Sequence, residues 1–303
     1  MITKFAKLCS LILLFPLKVG IVIINTIRRL TKSKMLDTFI YNFRTKLQND
    51  FAKVSDSAYL AKHASKLSTK LTYVDIGARG GLLPLVEKNR EHFEKIILCE
   101  GEPAEANKLR SEGYLVIDKF LADVEGTSKF YYIAGHPGAS SLKRPGTPFL
   151  HLFSDKHYDI YTKYKEENIT TSTLDVEFKK LGVTSLDFIK LDVQGSELSV
   201  IKGLNSLSPL FWEIEILPLP TYEDTPYGTS ITTELANRGY ICLRQSGKLH
   251  KDGVYIYSND IYMPNYGTEF GKKLIRANIN QWRLMMSLFD CDALAAHIEQ
   301  MIK

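Results

Sequence analysis

Cysteine is scarce in this chain: Cys9, Cys99, Cys242 and Cys291 are the only four in 303 residues, and no two share a paired spacing. That scatter excludes a disulfide framework and a C-x-x-C metal site, and it points to a reducing, cytoplasmic compartment. Cys99 falls inside an apolar run, where a small apolar residue is wanted. Acidic residues are missing from the first 36 positions, which hold Lys4, Lys7, Lys18, Arg28, Arg29, Lys32 and Lys34. The net charge of +5 therefore misleads, because the rest of the chain carries 32 basic against 34 acidic residues. A phosphate-tracking surface needs a cationic excess, so the body is not expected to bind nucleic acid. No internal repeat or low-complexity segment is evident, which leaves an ordinary globular body behind the arm.

Leu8 to Ile27 is a twenty-residue apolar stretch with one charge, Lys18. Its length matches the hydrocarbon thickness a spanning helix must cross. Pro16, Lys18 and Gly20 weaken it as a span, since a central lysine costs about 2.5–3.5 kcal/mol on insertion scales. Arg28, Arg29, Lys32 and Lys34 follow directly, as expected of a cytoplasmic flank or a segment lying on anionic lipid. No small-x-small site follows the run, which argues against a cleaved secretory signal. Residues 1–34 are thus expected to be a membrane anchor that spans or lies on the surface, and a buried or partner-docking helix is the alternative.

The most informative segment is LTYVDIGARGG, residues 71–81. Thr72, Tyr73 and Val74 read as a buried strand that ends on Asp75, and Gly77, Gly80 and Gly81 crowd into the next positions. A strand breaking into a glycine turn before a helix lets a ligand approach bare backbone, with helix N–H groups behind it. An acid ahead of the glycines repels pyrophosphate and suits a cationic ligand such as the sulfonium and ammonium of S-adenosylmethionine. The second apolar run closes on Glu100, 23 positions after Gly77. That is close to the roughly 20-residue spacing at which a βαβ unit delivers a carboxylate to a ribose diol. Nicotinamide enzymes share this spacing, but DIGARGG is not G-x-G-x-x-G. The cofactor residues expected are Asp75, Gly77, Ala78, Arg79, Gly81, Glu100 and Gly101.

Residues 35–70 carry apolar positions at helical spacing, a helical lead-in. From residue 71 strands and helices alternate: strands at 71–75, 95–100, 114–118, 128–133, 186–192, 210–216, 240–244 and 253–258, with helices at 82–91, 103–112, 173–181, 196–204 and 229–238. The stretch 134–170 reads as irregular, and Ser246, Gly247 and Lys248 as the turn of a final hairpin. This is an α/β pattern: a mostly parallel sheet with an antiparallel edge hairpin and helices on both faces, binding ligands at the strands' carboxyl ends. A domain at 71–262 followed by two helices within 263–303 completes the reading.

In SLDFIKLDVQGSELSVIKGL, residues 185–204, a strand ends on Asp192, turns through Gln194 and Gly195, and opens a helix at Ser196 and Glu197. This projects Asp192 into the crevice of Asp75 and Glu100, with capping of the next helix as the alternative. The strand FWEIEI sets Glu213 and Glu215 on one face, lining a site or paired with a nearby basic group. Asp192, Glu197, Glu213 and Glu215 include oxygen ligands for a hard cation, but their spacing does not show convergence, and no metal site is assigned.

DIGARGG, CEGEP, LADVEGTSKFYYIAGHPGASSL, TSTLD, the 185–204 segment and FWEIEI together resemble the FkbM family of S-adenosylmethionine-dependent methyltransferases. The resemblance runs in order from about residue 71 to 245, and its most specific piece is Lys190, Asp192, Val193, Gly195 and Glu197. It implies the seven-stranded Rossmann-like class I methyltransferase fold and methylation of hydroxyl oxygens on sugars or secondary metabolites. Two positions depart from the family: Arg79 stands where it usually has Asn, and Gln194 where it usually has Glu. Arg79 could pair Asp75 or reach the cofactor carboxylate. An alcohol must lose its proton during methyl transfer, so Asp192 or His136 is the expected catalytic group. Ser140, Ser141, Glu197 and Glu215 are the expected contacts to a saccharide, glycoconjugate or other hydroxylated acceptor. The rival readings are a membrane-tethered binding protein that keeps the fold without catalysis and an NAD-dependent oxidoreductase.

Overall fold

The computed structural model describes residues 70–152, 154–249 and 255–302. The arm at 1–34 and all but the last residue of the lead-in at 35–70 lie outside the described residues, so the anchor expectation falls there too. Among the described residues, no helix is long and apolar enough to cross a membrane.

In chain order the strands are β1 (Leu71–Ile76), β2 (Phe93–Cys99), β3 (Leu115–Ile117), β4 (Phe120–Leu121), β5 (Gly126–Tyr132), β6 (Lys165–Ser172), β7 (Phe188–Leu191), β8 (Phe211–Ile216), β9 (Tyr240–Leu249) and β10 (Tyr255–Pro264). The helices are α1 (Pro84–Lys88), α2 (Pro103–Ser111), α3 (Asp155–Tyr161), α4 (Leu174–Leu181), α5 (Glu197–Lys202), α6 (Gly228–Asn237), α7 (Glu269–Ala277), α8 (Ile279–Leu288) and α9 (Asp292–Met301).

Seven strands form one sheet in the order β3-β2-β1-β7-β8-β10-β9. All pairings are parallel from β3 to β8, and β10 runs antiparallel to both β8 and β9. Every residue of β1 is buried, as a central parallel strand requires. Its side chains alternate: Val74 and Ile76 join Ile97, Ile189, Leu191 and Ile214 in the core that α4, α5 and α6 cover. On the opposite face Tyr73 packs on Phe93 and Phe188, and Phe289, at the end of α8, meets Phe188 and Phe211. Local chemistry sets the helix ends. In α4 the Thr173 hydroxyl accepts from the Val176 N–H at 3.2 Å, and Gly182 ends the helix in the left-handed conformation.

The chain fills β1, β2 and β3 outward in one direction, then returns to place β7 on the other side of β1. That reversal leaves a crevice between the loops after β1 and β7, the place where open α/β sheets bind ligands. A separate three-stranded sheet, β4-β6-β5, carries the 133–145 segment to this crevice, with Tyr131 bridged to Ser141.

Four segments depart from the sequence-based expectation. The stretch 134–170 holds α3, most of β6 and two short 3-10 turns rather than irregular chain. β6 is polar and largely exposed, so no apolar alternation marks it, and its register comes from pairing with β5. The final hairpin is longer than expected, and Ser246, Gly247 and Lys248 lie within β9, opposite Asn259, Ser258 and Tyr257. Gly247 is there because β10 comes close: a Cβ would sit 2.2 Å from the Tyr257 carbonyl oxygen. The helix expected over 82–91 is only α1 plus a 3-10 turn, broken at Asn89. The C-terminal region holds three helices, because Asn278 ends α7 and starts α8.

Candidate active site

The crevice is a cleft of about 620 Å³ including its open mouth. Gly77, Arg79, Glu100, Gly101, Ser140, Ser141 and Asp192 of the expected residues line it. Asp75, Ala78, Gly81, His136, Glu197 and Glu215 do not.

The first loop shows why. Asp75 is completely buried. Its Oδ2 accepts from the Tyr73 hydroxyl at 2.7 Å, and its Oδ1 lies 3.2 Å from the Lys190 ammonium. Strand parity turns it away from Ile76 and onto the face it shares with Lys190, its neighbour across the ladder. Burial pushes the Asp75 carboxyl above its ordinary value, and Lys190 and Tyr73 oppose that rise. Burial works against the Lys190 charge, yet Asp75 and Asp192 outweigh it and hold the ammonium above the ordinary lysine range. Asp75 thus braces the floor of the cleft, and no oxygen of it is open to a cationic ligand.

Gly77 is required by a close approach. At φ +81° its missing Cβ would stand 1.9 Å from the Asp192 carbonyl oxygen, so only glycine lets the β1 and β7 loops touch. Ala78 packs inward on Leu98 and Leu109. Arg79 does not reach Asp75; it pairs with Glu102 at 3.4 Å and Glu105 at 3.7 Å while lining the cleft. Gly81, at φ +100°, only turns the chain.

Glu100 follows β2 at the cleft wall, 9% exposed, and its Oε1 accepts from the Glu102 N–H at 2.9 Å. Burial raises its carboxyl above the usual range, opposed by that N–H and by Arg79. The next residue must be small, since a Cβ on Gly101 would lie 2.5 Å from the Phe120 ring. Phe120 and Phe130, with ring centres 4.6 Å apart, both line the cleft.

The β7 loop is a clamp built around Gln194. This residue adopts φ +58°, a conformation that costs a non-glycine side chain about 1–3 kcal/mol. Its Nε2 donates to Asp192 Oδ1 at 2.8 Å and to Glu215 Oε2 at 2.7 Å. Its Oε1 lies 2.8 Å from the Tyr222 hydroxyl, and its backbone carbonyl accepts from Ser141 Oγ at 2.7 Å. Glu215 therefore sits behind Gln194, its carboxyl driven well up by burial and by the Asp192 and Glu197 charges. Glu197 accepts from the Val193 N–H at 3.0 Å and the Gly195 N–H at 3.1 and 3.0 Å, stapling the turn. Burial moves its carboxyl up to about 7. Asp192 does not cap α5; it reaches the cleft with Lys190 at 3.6 Å from its Oδ2.

The expected substrate contacts divide. Ser140 Oγ accepts from the Ile133 N–H at 3.0 Å, and buried Ser141 ties its loop to Gln194, so both also shape the wall they line. His136 is exposed and starts the 3-10 turn Pro137–Ala139, its ring 5.7 Å from that of Tyr161. Glu213, level with Lys190 in the β7–β8 ladder, lies on the floor with Asp75, and burial raises it against the pull of Lys190. No group of three or more metal-ligating side chains exists among the described residues. Sequence reasoning gave no role to Lys190, Tyr222, Phe120 or Phe130. Of these, Lys190 left the clearest signal, as the first residue of the family motif it shares with Asp192 and as the one charge inside the otherwise apolar strand FIKL.

Fold and cleft define an α/β protein with a cleft at the switch point of its sheet, carrying a carboxylate after β2 and a second after β7. A family model described as "Methyltransferase FkbM domain" matches residues 75–242, more than half of the chain. The chain belongs to this methyltransferase family, rather than among nicotinamide-dependent oxidoreductases. No curated protein matches it. Among solved structures it is similar to M. capricolum TrmK in complex with S-adenosyl-homocysteine, at 11% identity and a TM-score of 0.34, over 80% of this chain and 96% of that one.

Proposed function

We propose that this methyltransferase uses S-adenosylmethionine to methylate a hydroxyl oxygen of a saccharide, glycoconjugate or secondary metabolite. The observation that carries this reading is that Glu100 and Asp192 line one cleft at the sheet's switch point. The residues present fit the cofactor. The Glu100 carboxylate on the cleft wall would accept from ribose hydroxyls, and the rings of Phe120 and Phe130 would offer an apolar wall to a base. When bound, the cofactor supplies a sulfonium-activated methyl group.

The chain's own residues position the acceptor and take its proton. Asp192 receives the hydroxyl proton as the oxygen forms its bond to carbon, work worth about 10²–10⁴-fold in rate. Gln194 fixes the Asp192 rotamer from one side, and the Lys190 ammonium lies on the other. Holding the acceptor in line can contribute about 7–11 kcal/mol more. Titration calorimetry tests the cofactor assignment. Wild type should bind S-adenosylmethionine and not NAD, and Glu100→Ala should weaken binding by roughly tenfold, the worth of a charge-assisted hydrogen bond. No binding, or equal binding by the variant, refutes it.

A second reading is favoured by Gln194, whose amide occupies an oxygen of both Asp192 and Glu215. A protein that holds the cofactor without turnover would bind normally in that titration. It would transfer no label from the cofactor to fractionated cell extract.

A further inference from the structure

The face of the sheet covered by α6 carries a second cavity, of about 860 Å³ including its mouth, that shares no lining residue with the cofactor cleft. It lies where β8 leaves the sheet beside α6 and the β9–β10 hairpin. Asp260 forms part of its wall, opposite Ile214 in the β8–β10 ladder and only 1% exposed. Its Oδ2 accepts from Gln245 Nε2 at 2.7 Å. Among the described residues its buried Oδ1 has no partner at ordinary hydrogen-bond geometry, although the Tyr262 hydroxyl stands beside the carboxyl.

A carboxylate oxygen withdrawn from water without a partner is costly, and buried charges are normally paired. Among the described residues the cavity wall offers no such pairing: it contains no lysine, arginine or histidine. Thr229, Thr232, Ser258 and Gln245 add polar groups, and Ile216 and Pro218 an apolar floor. Tyr227 and Tyr255, 64% and 48% exposed, stand on the same wall. Tyrosine rings attract cations through their π faces. We infer that this cavity binds a small organic cation, an ammonium carried on an apolar body, with Asp260 as its counter-charge and the two tyrosines beside it. The site is independent of the methyl-transfer cleft.

Calorimetry on the full-length chain tests this with n-butylammonium chloride, using n-butanol as the neutral match. Wild type should bind butylammonium at least about tenfold more tightly than butanol. Asp260→Asn keeps an acceptor for Gln245 and should lose that preference, and Tyr227→Ala, on the surface, should weaken butylammonium about threefold. Equal affinity for the two probes, no binding to wild type, or affinities unchanged in Tyr227→Ala would overturn the inference. If Asp260→Asn fails to fold, the alcohol control and Tyr227→Ala decide alone.

Discussion

Asp75 lies near the end of β1 and Asp192 just past β7, and each is followed by a glycine turn, at Gly77 and Gly195, and a helix. In sequence the two stretches are nearly interchangeable. In the structure Asp75 is sealed under the sheet between Tyr73 and Lys190, whereas Asp192 faces the cleft. The ladder explains the difference. Asp75 is level with Lys190, and the Asp192 N–H donates to the carbonyl of Ile76, so Asp192 stands past the last paired residues. One acid became framework and the other reaches the cleft, and the same lysine touches both.

The sharpest way to break the comparison is to remove the buried partner. Asp75→Ala should cost about 3–5 kcal/mol of stability, read by chemical denaturation, because Lys190 stays buried with only the longer Asp192 pairing. A loss below about 1 kcal/mol would mean the floor does not depend on this ion pair. Asp192→Asn should do the reverse. It should lower methyl transfer by about 10²–10⁴-fold while stability changes by less than about 1 kcal/mol. Equal activity would remove Asp192 from the chemistry.

A third strand-associated acid sharpens the contrast through pH. Asp187 precedes β7, is 7% exposed, and accepts from the Thr72 N–H at 2.7 Å. Burial moves its carboxyl up from 3.8 to about 6. The folded state therefore holds its proton more tightly than the unfolded chain. Its contribution is fully present below about 4 and lost as pH rises through about 6. Wild-type stability should fall across that window relative to Asp187→Asn, which keeps an acceptor for Thr72. The difference should reach about 1–3 kcal/mol, and parallel stability profiles would contradict it.

Parts of the site were legible because they depend on local order. The run ending at Asp75, the glycines after it, and Glu100 at βαβ spacing all mark elements that fold from neighbouring residues. The role of Glu197 was not legible, because a carboxylate that staples its own turn reads the same as one that lines a site. His136 looked catalytic in a glycine-rich loop, and nothing local showed that the loop turns Ser141 inward and leaves His136 outside.

Sequence by itself determined the alternation of strands and helices and, through the motifs it shares with other members, the family. The alternation follows from hydrophobic period and turn chemistry, which act over a few residues. Tertiary structure alone decided which acids are buried. Asp75 meets Lys190 across 115 positions, Ser141 meets Gln194 across 53, and Tyr222 meets Gln194 across 28. Whether a carboxylate ends as framework or at the wall of the cleft depends on the charge beside it and the water left to it. Both are set only when distant strands come into register.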